Sequence, residues 1–337
     1  MTTTAASVPV TADSRRPGLS LEWGIGLAVV VLGAAFPLLL AGQPFLVTLG
    51  SQALVAAIVA LSLDLLIGNT GLLSFGHAAW FGIGGYTAGL FAKVVSPELL
   101  IVLPVTMLVA ACVAAVFGTV LVRQIGKTFA ILTLALSQVF YSLVFVAARW
   151  TGGEDGLQGI PIPTLAGQQV FSPAAGYWVI YCALLLVLAA ALALRLSPLG
   201  RAWLALRSNA DRARFIGIPV LGLKLFAYVL AAAVAALAGA LLALLNGATA
   251  PDTLSWLQSG NILMYVVLGG VGTLIGPVLG AIAFTFAQNY ITGLTDAWLI
   301  YFGGLFVIIV IVAPGGLFSL PAVLRARWIR RGFRRDP

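Results

Sequence analysis

Apolar residues fall in blocks of about 20, parted by short breaks rich in glycine, proline and charge, along nearly the whole chain. A block of that length crosses the hydrocarbon core of a bilayer as a single helix. The pattern predicts spans near residues 21–41, 46–67, 72–92, 99–121, 128–148, 176–196, 225–246, 254–269, 274–291 and 297–313. The chain is thus read as an all-α polytopic membrane protein with about ten transmembrane helices, some interrupted at Gly-rich segments. One such segment, Gly68 to Gly89 (GNTGLLSFGHAAWFGIGGYTAG), sets Asn69, Ser74 and the only histidine, His77, at membrane depth. Irregular backbone is tolerated there only where protein or a water-filled path surrounds it. A second runs through Gly269-Gly270-Val271-Gly272 to Gly276-Pro277. With one in each half of the chain, the pair suggests interrupted helices that meet beside a translocation path.

Composition and charge sharpen this picture. Hydrophobic residues make up 61% and charged residues 8% of 337, against roughly 25% charged in a soluble domain, so a water-soluble fold is excluded and one helical membrane domain is expected. The formal charge of +8 gathers beside apolar runs, which makes it a topology signal rather than a nucleic-acid surface. Arg15 and Arg16, Arg123 and Lys127, Arg201 to Lys224, and Arg325 to Arg335 all fall on one side when ten spans are drawn. Both termini are therefore expected to be cytoplasmic. The division is a cytoplasmic tail at 1–20, a transmembrane domain at 21–313 with an external loop at 149–175 and a cytoplasmic docking loop at 197–224, and a basic tail at 314–337, for which anionic lipid is the default contact. The run Leu21 to Leu40 after Arg15 and Arg16 exceeds the length of a signal-peptide core and is expected to be a retained first helix. Cys112 and Cys182 lie in different spans, and buried inert thiols are expected rather than a disulfide or metal site.

Small residues form ladders. Gly85 and Gly89 are four apart, as are Gly272, Gly276 and Gly280, and Ala232, Ala236 and Ala240. Each set is expected to line one helix face and permit close packing in lipid.

Motifs for chemistry are missing. Gly126-Lys127-Thr128 resembles the end of a phosphate loop, but the required earlier glycine is Leu121. One histidine cannot build a two-histidine zinc motif, and Ser74 lacks a convincing base, so no catalytic, cofactor or metal residue is expected. The intramembrane ionisable residues are Asp64 and His77, with Asp296 at a predicted interface; such groups are the default functional candidates. They are too few for a proton- or sodium-coupled carrier, so energy is expected from a partner. Ser197 to Pro219 is a long basic loop in which Trp203, Leu206 and Ala210 recur at helical intervals. It reads as a short amphipathic helix that docks in a partner's groove, with lipid-surface binding as the alternative. The Gly/Pro-rich stretch Arg149 to Pro173 is long enough to carry function of its own.

Five ordered segments, 64–89, 129–138 (FAILTLALSQ), 151–161 (TGGEDGLQGIP), 197–243 and 266–281 (VVLGGVGTLIGPVLGA), resemble the LivM/LivH permeases of bacterial ABC importers for branched-chain amino acids. The external TGGxxGL segment favours the LivM-like branch. The resemblance implies a bacterial inner-membrane subunit without its own nucleotide site or cofactor. Its implied partners are a second LivH-like permease, two cytoplasmic ATP-binding subunits and an extracytoplasmic substrate-binding protein. It further implies ATPase docking at Gly200, Arg201, Trp203, Leu206, Arg207, Arg212 and Gly217. The implied path is lined from the Asp64, Asn69, Ser74, Gly76, His77 and Gly84 region and from Gly269, Gly270 and Gly272. A related urea or amide importer, and a stand-alone ion-coupled carrier, are the alternatives.

Overall fold

The computed structural model describes residues 19–40, 42–170, 172–295, 297, 299–304, 307 and 316. Arg15, Arg16, Asp296, most of the tenth predicted span and the basic segment from Arg325 to Arg335 lie outside these residues. Twelve α-helices are present among them: α1 (Leu19–Leu39), α2 (Pro44–Thr70), α3 (His77–Val94), α4 (Leu99–Leu121), α5 (Lys127–Val146), α6 (Ala148–Thr151), α7 (Pro173–Leu196), α8 (Pro198–Ser208), α9 (Ala210–Phe215), α10 (Val220–Asn246), α11 (Trp256–Gly269) and α12 (Gly276–Thr292). Residues 299–304 are helical as well, and Phe302 packs on Phe284 of α12 with ring centroids 4.3 Å apart.

The helix ends follow local chemistry. Pro44 and Pro173 occupy first-turn positions where no amide donor is needed. Gly71 and Gly247 close α2 and α10 in the left-handed region, at φ 76° and 65°. The long helices α2 and α10, each 27 residues, form the centre. The outer helices α4, α5 and α7 bury one face only. They present Leu108, Val116, Val120, Ile131, Val139 and Leu186 outward, as lipid contact requires. Among the described residues five helices, α2, α4, α5, α7 and α10, are long and apolar enough to cross a membrane.

Centre packing depends on small residues, because apolar side chains gain little by leaving lipid for protein and association needs close van der Waals fit. Ala231, Ala232, Ala235, Ala236, Ala238 and Ala240 of α10 are fully buried. Where α10 crosses α3, a Cβ on Gly239 would fall 1.8 Å from the carbonyl oxygen of Phe81, and one on Gly84 would fall 2.1 Å from that of Ala236. The predicted α3 ladder is therefore offset: Gly84 meets α10, whereas Gly85 faces Thr249 and Gly89 faces Leu157 and Ile160. The expected ladder at Gly272, Gly276 and Gly280 also needs correction. Gly272 sits before α12 with φ 80° and shares no helix with the other two, while Gly280 packs on Tyr265 and Gly269 of α11.

Two predicted spans are shorter as helices than as apolar runs. The 72–92 span begins as a helix only at His77. The 254–269 span is a 14-residue helix from Trp256, about 21 Å long at 1.5 Å per residue, which falls short of a bilayer core. Leading into it, the turn Pro251–Leu254 reaches back among the helices. A Cβ on Gly82 in α3 would lie 2.2 Å from Leu254, and Ser137 in the middle of α5 donates to the Leu254 carbonyl at 2.9 Å.

Candidate functional site

Two non-helical breaks, 71–76 between α2 and α3 and 270–275 between α11 and α12, lie at the α8 end of the bundle. The first runs inward. His77, where α3 starts, meets Ser62 of α2, eight residues before the end of that helix and so about 12 Å along its axis. Backbone groups at such depth need partners, and side chains of neighbouring helices supply them. The Phe75 amide donates to Thr133 Oγ1 at 3.1 Å. The Ala78 amide, one of the free donors of the first turn of α3, donates to Ser259 Oγ of α11 at 3.1 Å. A Cβ on Gly76 would fall 1.8 Å from the Thr133 carbonyl oxygen, so only glycine fits there.

His77 is fully buried. Ser62 Oγ donates to the Val59 carbonyl at 2.6 Å and lies 2.7 Å from His77 Nε2. With its one proton committed to Val59, the hydroxyl accepts from Nε2–H, which leaves Nδ1 as an acceptor. Nδ1 and the Ser74 hydroxyl, also fully buried, have no hydrogen-bond partner. Beside this core, Leu72, Leu73 and Phe75 on one side and Phe129, Ile131 and Leu134 on the other line a cleft of about 570 Å³ whose wall is largely apolar.

The second break is held from two helices. The Gly272 amide donates to Asp64 Oδ1 of α2 at 2.6 Å, and the Gly272 carbonyl accepts from Arg195 Nη2 of α7 at 3.2 Å. Asp64 is 8% exposed, within electrostatic reach of both Arg195 and Arg207. A Cβ on Gly269 would lie 1.9 Å from the Gly276 carbonyl oxygen, which explains the small residues on both sides of this turn. Gly270 has φ 118°, a conformation open to glycine alone at low cost. Of the expected path residues, Asp64, Gly269, Gly270 and Gly272 thus meet at the second break. Ser74, Gly76 and His77 meet at the first, Asn69 is half-buried near it, and Gly84 serves the α3–α10 crossing instead.

An arm formed by α8 and α9 extends from α7. Ser197 caps α8, its Oγ accepting from the Gly200 amide at 3.2 Å. Asn209 caps α9, its Oδ1 accepting from the Arg212 amide at 2.9 Å. Gly217 at φ 84° and Pro219 then turn the chain into α10. The apolar face expected to enter a partner's groove points instead toward the bundle. Trp203 is 1% exposed, donates from Nε1 to the Leu223 carbonyl at 3.0 Å and stacks on Phe226. Leu206 packs with Ala213 and Val220, and Gly200 abuts the Leu194 carbonyl. The arm's outer surface carries Arg201, Arg212 and Arg214, and at its tip Phe215 and Ile216 stand 90% and 73% exposed. Arg207, although on the arm, donates from Nη1 to the Gly68 carbonyl of α2.

At the other end of the bundle the 147–170 loop is ordered against α3, α4 and α10. Leu157 and Thr249 exchange backbone hydrogen bonds of 2.8 and 2.9 Å, and Lys93 Nζ donates to the Gln158 carbonyl at 2.8 Å. A small hairpin, β1 (Thr164–Leu165) with β2 (Gln168–Gln169), is held by Glu98. Thr164 Oγ1 donates to its Oε2 at 2.7 Å and the Ala166 amide to its Oε1 at 2.6 Å. These bonds, the Thr164 hydroxyl first, hold the Glu98 carboxyl below the usual carboxylate range.

Sequence reasoning that weighed ionisable groups missed Ser62, Thr133, Ser137, Arg195 and Ser259. Their signal was present as hydroxyls in apolar helices and a lone arginine at the end of α7. The exposed pair Phe215-Ile216 was legible as apolar residues inside a basic loop.

Comparison with known proteins adds to this geometry. The family described as the branched-chain amino acid transport system / permease component matches residues 45–314. The high-affinity branched-chain amino acid transport system permease protein LivM of Escherichia coli is 30% identical, over 87% of this chain and 74% of its own length. Its Salmonella typhimurium counterpart is 29% identical over the same shares. The autoinducer 2 import system permease protein LsrC of Yersinia enterocolitica is 30% identical over 60% of this chain and 57% of its own. No solved structure matches the chain. The family match across four fifths of its length places this chain in the branched-chain amino acid transport system permease family.

Proposed function

We propose that the chain forms half of the membrane path of an ABC importer for branched-chain or closely related amino acids. In this reading a second, related permease completes the path, two cytoplasmic ATP-binding subunits drive it and an extracytoplasmic binding protein delivers the solute. The observation that carries the reading is the convergence of both helix breaks on the base of an exposed basic arm, in a chain of permease-family sequence. The arm is the ATPase contact. Phe215 and Ile216 fill the apolar groove, Arg201, Arg212 and Arg214 ring it, and Gly200, Trp203, Leu206 and Gly217 fix the arm to the bundle. The arm side is cytoplasmic, and so are both termini.

The segments at Asn69 to His77 and Gly269 to Gly272 line the path when the helices part. A zwitterionic solute needs its charges matched there, and helix ends and unwound backbone supply partial charges without ionised side chains. Alternating access then follows from the ATPases' differential grip on the arm. The test is uptake of leucine, isoleucine and valine by the purified four-component complex in liposomes, with binding protein added. Uptake that depends strictly on ATP supports the reading. Accumulation against a gradient by this chain alone, with no nucleotide, overturns it.

A further inference from the structure

We propose that Arg207 and Asp64 are positioning residues that tie the α8–α9 arm to both helix breaks, so that displacement of the arm moves the two breaks as one. The proposal rests on the importer reading above. Gly200, Trp203 and Leu206 are the buried positions of α8, and Arg207, two turns on from Gly200, lies at the edge of that face. Its side chain is exposed along part of its length, as those of Arg201, Arg212 and Arg214 are, but its head group reaches α2. Its guanidinium donates to the Gly68 carbonyl, one of the last-turn acceptors of α2 that no helical amide satisfies. A cation at that end is also favoured by the helix dipole.

Gly68 is three residues before the first break. One turn earlier on the same face of α2, Asp64 receives the Gly272 amide of the second break. Nothing separates the parts: a Cβ on Gly68 would lie 2.9 Å from Gly272 Cα, and one on Gly272 would lie 2.9 Å from Arg207 Nη1. Arg195 closes the circuit from the far side of the α7–α8 corner, holding the Gly272 carbonyl. The corner that bears the arm thus grips the end of α2 and the α11–α12 turn together. Asp64 lies within electrostatic reach of both guanidinium groups.

The test uses the full complex in liposomes, with ATP hydrolysis and solute uptake measured in the same preparation for Arg207→Gln, Arg207→Lys and Asp64→Asn. Groups in one contiguous network modulate coupling by roughly 2- to 30-fold. The expected result is retained assembly and hydrolysis within about twofold of the parent. Solute carried per ATP falls about tenfold in Arg207→Gln and Asp64→Asn and about threefold in Arg207→Lys. An unchanged ratio in the first two variants overturns the proposal, as does a loss of hydrolysis in proportion to uptake, which marks a role in docking or folding alone. If those two do not assemble, Arg207→Lys decides: a ratio equal to the parent's overturns the proposal and a threefold fall supports it. A parent complex without ATP-driven uptake is a different result, which sinks the importer reading and this one with it.

Discussion

Thr133, Ser137 and Ser259 each satisfy a backbone group that no helical backbone bond satisfies. In water such groups would find solvent, whereas at membrane depth a lost partner leaves a desolvated donor or acceptor worth about 1–3 kcal/mol. Ser259→Ala removes the acceptor for the Ala78 amide, and the expected outcome is a loss of about 1–3 kcal/mol in stability, read as a lower melting temperature of the detergent-solubilised chain. A melting temperature equal to the parent's would show that the amide has another partner. Glu98 offers a second test at this scale, since its carboxyl is held below the usual range by hydrogen bonds to its ionised form. A depressed carboxylate stabilises the fold above its unfolded pKa, and that contribution is lost as pH falls through the lowered folded value. The hairpin at 164–169 is therefore expected to loosen below the ordinary carboxylate range, seen as faster motion of a spin label at Gln168, and Glu98→Gln is expected to show that motion already at neutral pH.

Among elements, the α8–α9 arm divides its residues between two jobs. The face with Trp203 and Leu206 anchors it to the bundle, and the tip with Phe215 and Ile216 is left uncovered. Burying a phenylalanine side chain is worth about 1.5–3 kcal/mol. Phe215→Ala is thus expected to weaken ATPase retention by the purified complex about tenfold or more, measured as subunit stoichiometry after dilution, while Trp203→Ala lowers the yield of folded chain instead. Sequence periodicity identified this arm as helical and amphipathic because the 3.6-residue repeat survives in a short segment. It did not distinguish the face that meets the chain's own α10 from one that meets a partner, since both are apolar and only tertiary packing separates them. The breaks were legible for a different reason: Gly-Gly and Gly-Pro steps are costly inside any helix. The inward bend of 247–255 was hidden, because GATAPDTLS reads as an ordinary connection between two spans and only the packing of Leu254 on Gly82 puts it among the helices.

For the whole molecule, the order of spans followed from apolar run length, and the central place of α2 and α10 from nothing so simple. Helices in contact with lipid and helices in contact with protein are equally apolar, so the distinction rests on small residues such as Gly84 and Gly239, whose value appears only once the crossing is formed. The orientation read from arginine and lysine predicts that a cysteine at Gln168 reacts with an impermeant thiol reagent in intact cells and one at Asp211 reacts only after lysis, with Cys112 and Cys182 first replaced. Reversed labelling would invert the assignment of the arm. The sealed surroundings of Ser74 and His77 carry one more consequence. With the imidazole and the hydroxyl wholly covered by the chain, an acylating reagent such as diethyl pyrocarbonate is expected to spare His77 in the folded protein and to modify it only where the helices part.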